Sequence, residues 1–171
     1  MLGQLIGSVR RNHALEHATI AVLAARLGHD IRLVGRASFS GFYLYGETNE
    51  EQVRESAQEA LRRLRGGEGY LAISPMCGTN LAVAGLLAGL SSLLALGNRS
   101  RLERTPNVLL ASMLAVLAAQ PLGGLAQKHL TTHPDLSDTE LVSIRRGGRG
   151  AGRFLKVNTR RAAPGGAYAS P

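Results

Sequence analysis

The chain has 171 residues, a single cysteine, no tryptophan, 4% aromatic residues and a formal charge of +8. One cysteine excludes an intrachain disulfide framework and suits a reducing compartment, while the length suffices to bury a core without cross-links. The low aromatic content argues against a base-stacking platform, so no specific nucleic-acid partner is expected.

Met1–Arg11 places Arg10-Arg11 after a short apolar part, the reverse order of a secretory signal, and reads as a leading helical turn or a membrane-surface foot. A helix is predicted from about Asn12, as N-cap, to Leu27, with Gly28 as its stop. Near its start His13-Ala14-Leu15-Glu16-His17 reads H-x-x-E-H. Positions i and i+4 of a helix lie a turn apart on one face, so both imidazoles can converge on one metal ion. Glu16 projects near that face, where a general base for a metal-activated water belongs. The plain alternative is a chance spacing of two histidines.

Ile31–Val34 and Phe39–Tyr45 are rich in β-branched and aromatic residues and are predicted strands. Thr48–Glu51 reads as a capping box for a helix that runs to Arg65 and buries Val53, Ala57, Leu61 and Leu64. Glu50–Arg54 and Glu59–Arg63 pairs are expected on its solvated face. Gly66-Gly67 ends it, and Tyr70–Ile73 is a predicted third strand. The expected fold class is α+β: an α-β-β-α-β two-layer, metallohydrolase-like domain over residues 1–77.

Leu81–Gly97 and Asn107–Gln127 carry no charge and have the length that spans a hydrocarbon core. The expectation is a transmembrane helical hairpin over 78–127, with Asn98–Pro106 as its polar loop. Two buried core helices are the alternative, with too little other chain to cover them. Gly85-x-x-x-Gly89 offers small residues for close helix approach and leaves pairing with a second copy of the chain open. Of the 20 Lys and Arg, 17 flank the hairpin, so both tails are expected in the cytoplasm of a two-span cell-membrane protein. The bilayer is then the first partner.

His129 and His133 are four apart, but Thr131-Thr132 and Pro134 disfavour a helix there and hence a second metal site. Residues 128–157 are expected to pack back on the α/β domain, with Glu140–Arg145 an edge strand and Phe154–Val157 a last short strand. Residues 158–171 are expected to be a disordered basic tail.

Cys77 stands in Cys77-Gly78-Thr79, directly after the last predicted strand. Helix, two strands, helix, strand and then C-G-T resembles the layout of the LuxS-type S-ribosylhomocysteine lyases. Ser40-Gly41-Phe42-Tyr43 and Gly46–Val53 are similar to that family's T-G-F-Y strand and the start of its second helix. The match in pattern covers about residues 12–79, as a membrane-anchored divergent member. It implies His13, His17 and Cys77 as metal ligands and Glu16 as general acid/base. The same superfamily includes the pitrilysin-type peptidases, whose third ligand is a glutamate of a later helix. On that pattern Glu55 or Glu59 would ligate and Cys77 would stay free.

Two imidazoles and a thiolate leave one tetrahedral position open and suit zinc, with ferrous iron the alternative. An ordinary buried thiol is the plain reading of Cys77. Ser38 stands where the lyases carry a second, catalytic cysteine, and Arg32 where they carry an acid. The resemblance therefore implies the metal site without the lyases' substrate apparatus. The function expected is a membrane-anchored metal-dependent hydrolase acting on a peptide or amide at the membrane surface. One alternative is a lyase or isomerase of a small polar metabolite, with Ser38 catalytic in an altered role. Another is a non-catalytic membrane protein with a structural metal site.

Overall fold

A computed structural model describes residues 2–28, 32–96 and 101–162. The chain divides into two compact units, Met1–Ile73 with Thr132–Pro171, and Ser74–Thr131.

In the first unit, helix α1 spans Leu2–Leu27 and so begins well before the N-cap expected at Asn12. No proline interrupts Leu2–Arg11, and the helix simply continues through it. Asn12 is buried inside the helix and acts as a tie rather than a cap. Its Nδ2 donates to the carbonyls of Ser38 at 2.8 Å and Phe39 at 3.3 Å. Its Oδ1 accepts from the Thr159 hydroxyl at 2.6 Å.

Strands β1 (Val34–Ser38) and β2 (Gly41–Tyr45) form a tight hairpin with Ser38 opposite Gly41. Ile31, the expected start of the first strand, lies outside the described residues. Helix α2 covers Glu50–Arg65, and its cap is Asn49, whose side chain accepts from the Glu51 N–H at 2.8 Å. The expected capping box at Thr48 is thus displaced by one residue, because the Asn49 carboxamide already satisfies the exposed donor. Val53, Ala57, Leu61 and Leu64 are buried, as the spacing predicts. Glu50 pairs with Arg54 at 2.9 Å, but Glu59 takes Arg62, and Arg63 turns away to Glu68.

That turn explains a second correction. Tyr70–Ile73 is not a strand; Gly69–Ala72 is a 3₁₀ turn. Arg63 Nε lies 3.0 Å from both Glu68 carboxylate oxygens, and the Tyr70 hydroxyl donates to Glu68 Oε2 at 2.7 Å. This fork folds the chain back on α2 before a strand can pair. Hydrogen bonds from Arg63, then Tyr70, lower the Glu68 pKa from 4.5 to about 2. A depressed carboxylate stabilises the fold above its ordinary pKa and loses that contribution as pH falls toward 2. Glu68→Gln is therefore expected to flatten the acid limb of a stability–pH profile between those values. An unchanged limb would show that the fork contributes nothing.

The third and fourth strands come from the C-terminal part of the chain. Strands β3 (Thr139–Gly147) and β4 (Phe154–Arg161) complete a four-stranded antiparallel sheet, order β1-β2-β4-β3, among the described residues. Asn158–Arg161, expected to be disordered, continue β4 against β3, with Arg160 paired to Glu140 at 2.8 Å and Arg161 to Asp138. The rest of the expected tail, 163–171, lies outside the described residues. Phe42 opposes Val157 and Leu44 opposes Leu155. These four residues point to one face and join Leu15, Leu23, Val53 and Leu61 in a single core. Fully burying each large apolar side chain contributes about 1.5–3 kcal/mol.

The second unit consists of helices α3 (Gly78–Leu96) and α4 (Arg101–Ala126), with a π-helical turn at Gln127–Thr131. The helices touch through small polar groups: Ser92 and Ser112 hydroxyls lie 2.8 Å apart, and Ser91 donates to the Ala111 carbonyl at 3.4 Å. Gly85 and Gly89 face open space; the close approach is Gly123 against Asn80. Both helices are long and apolar enough to cross a membrane, and only 6% and 11% of their apolar windows are buried within the protein. Part of the expected loop, residues 98–100, lies outside the described residues.

Candidate metal centre

Helix α1 aligns His13 and His17 as their spacing requires. Their ring centroids are 4.3 Å apart with planes inclined by 60°. His17 is buried, and its Nδ1 lies 2.8 Å from the carbonyl oxygen of Ala72. A carbonyl only accepts, so Nδ1 carries the proton and the lone pair of Nε2 is free to ligate. The 3₁₀ turn rejected above as a strand is thus what fixes this tautomer.

Cys77 is buried and stands immediately before the first residue of α3. The Thr79 N–H points at its sulfur, N to Sγ 3.4 Å. An N–H donor and the positive end of a helix both favour negative charge on the sulfur. The preceding loop is held by a buried carboxamide pair. Gln127 accepts from the Ser74 N–H at 2.8 Å and donates to the Ser74 carbonyl at 2.9 Å and to Asn80 Oδ1 at 2.8 Å. Asn80 Nδ2 donates to the Pro75 carbonyl at 2.9 Å.

His13, His17 and Cys77 offer one ligand atom each, and these atoms all lie within 4.8 Å of one another. They form the single such metal-ligand group among the described residues. The donor set fits a borderline-soft divalent ion.

Glu16 sits on the same helix, 5% exposed, against β1. A Cβ at Gly35 would fall inside the Glu16 carboxyl group, so only glycine lets the strand pass this closely. Gly35→Ala is expected to lower stability by about 1–3 kcal/mol through overpacking at a buried acid. A denaturation midpoint unchanged from wild type would show that Glu16 moves aside freely.

Ser38 is not part of the metal group; its hydroxyl donates to the Gly41 carbonyl at 2.9 Å across the hairpin turn. Glu55 and Glu59, the ligands of the pitrilysin-like pattern, are engaged in surface pairs with Arg26 at 3.0 Å and with Arg62. Sequence reasoning missed Asn12, Gly35 and the Ala72 carbonyl. Asn12 resembles a cap, and neither a strand glycine nor a main-chain oxygen leaves a motif.

Fold and side chains together define an α+β protein with a buried His-His-Cys group able to hold a metal ion. The chain belongs to the DUF6391 family, a domain of unknown function, whose model matches residues 8–144. That range includes the three ligands, Glu16 and both apolar helices. The chain is also similar to an uncharacterized protein of Picosynechococcus sp., 36% identical over 137 residues, 72% of this chain. It spans 65% of the length of that relative. No solved structure matches.

Proposed function

We infer that this protein is a membrane-anchored metal-dependent hydrolase that cleaves a peptide or amide bond at the membrane surface. The observation that carries this reading is the His13–His17–Cys77 group with Glu16 buried beside it on the same helix. Three ligands leave a fourth tetrahedral position for water or substrate, the arrangement of a catalytic site. A zinc or ferrous ion there supplies Lewis acidity, polarising a carbonyl and acidifying a water. Glu16 takes the proton of the attacking water and returns it to the leaving amine. Low exposure keeps the carboxylate poorly hydrated and in one orientation, which strengthens that role. The Ala72 carbonyl holds the imidazole of His17 in the tautomer that ligates.

The likeness of H-x-x-E-H and C-G-T to LuxS-type lyases and pitrilysin-type peptidases supports the ligand and base assignments. Ser38 in place of the lyases' cysteine, with its hydroxyl committed to the turn, weighs against lyase chemistry. The apolar surfaces of α3 and α4 support anchoring, and the start of α3 one residue after Cys77 supports a site near the membrane surface. The protein is expected to stay in the membrane pellet through a carbonate wash. A reporter inserted between α3 and α4 is expected to face outward, with both termini cytoplasmic. Release by the wash would remove the anchor from this account.

A further inference from the structure

A groove in the first unit has no part in the metal chemistry. It encloses about 310 Å³ beside the cap of α2 and the turn from β3 to β4. Among its lining residues are Glu47, Thr48, Arg146, Gly150, Arg153 and Phe154. The turn reads Arg145-Arg146-Gly147-Gly148-Arg149-Gly150, then Gly152-Arg153. Gly148 has φ +78°, and the Gly152 carbonyl stands where its Cβ would be, so the turn is locked in a form only glycine adopts.

Two guanidinium groups line this groove. Arg146 makes no ion pair among the described residues. Among the described residues Arg153 spends only Nε, on the Gly150 carbonyl at 3.3 Å. One carboxylate, the exposed Glu47, opposes two guanidinium groups, so the lining stays net positive. Phe154 supplies an apolar wall, set edge-on to Tyr43 at 5.3 Å.

We propose that this groove binds a phosphate group carried on a small organic moiety, either a soluble phosphate ester or a phospholipid headgroup. The two guanidinium forks take the two non-bridging oxygens that a phosphate ester and a headgroup phosphodiester have in common. The organic part packs on Phe154, and the volume suits a ligand of that size.

The test follows the amide resonances of Gly148 and Gly150 in the full-length, detergent-purified protein. One arm titrates glycerol 3-phosphate; the other adds phosphatidylglycerol to the micelles, with phosphatidylcholine as its neutral counterpart. A saturable shift with glycerol 3-phosphate assigns a soluble ester. A shift with phosphatidylglycerol alone assigns a headgroup. In either case Arg146→Ala and Arg153→Ala are each expected to weaken binding about tenfold or more. Arg145→Ala, which removes the same charge outside the groove, is expected to leave it unchanged. Absence of a saturable shift in both arms overturns the proposal, as does equal weakening by Arg145→Ala, which marks diffuse charge only.

Discussion

Glu16→Gln is expected to keep the fold and the metal while lowering turnover of a cleavable membrane peptide or lipid amide by about 10²–10⁴-fold. The substitution preserves size and one accepting oxygen but removes the base. Glu16 is 5% exposed and lies against Gly35. Metal content separates this role from a structural one. Full turnover in Glu16→Gln would contradict the proton transfer assigned to it. Loss of metal and fold together would make the carboxylate a support for the histidines and favour a structural metal.

The second large effect is on metal content. Wild-type protein is expected to hold about one equivalent of zinc or iron, and His13→Ala, His17→Ala and Cys77→Ala each to lose most of it. Even residues that only orient ligands cost about 10–100-fold in affinity when changed, so deleting a ligand must cost at least that. Glu55→Ala and Glu59→Ala are expected to retain the ion, since both carboxylates serve surface pairs with arginines. Metal analysis that finds Cys77→Ala loaded and Glu55→Ala or Glu59→Ala empty would transfer the third ligand to α2.

The His-His-Cys group was legible in the sequence because metal-binding chemistry constrains both residue type and spacing. Two histidines four apart on an apolar helix must share a face, and the structure brings their rings to 4.3 Å. The apolar helices were legible from absent charge alone. The third strand was misread, because Tyr70–Ile73 is as β-prone as the true strands. What decides its fate is the Arg63–Glu68–Tyr70 fork, an interaction between side chains that no local propensity encodes. The strand that pairs with β2 is instead β4, more than eighty residues further on, whose Leu155 and Val157 complete the core. Asn12 shows the same limit: a residue suited to capping becomes a tie once Leu2–Arg11 extends the helix. The proposed phosphate groove is still further from local pattern, since it joins residues just before α2 to a turn about a hundred residues away.

X-ray absorption at the metal edge of the purified, metal-loaded protein addresses the centre most directly. For zinc, the account predicts one sulfur at about 2.3 Å and two imidazole nitrogens at about 2.0–2.1 Å, with a light oxygen donor in the remaining position. A spectrum without sulfur, or with oxygen and nitrogen ligands only, would contradict it.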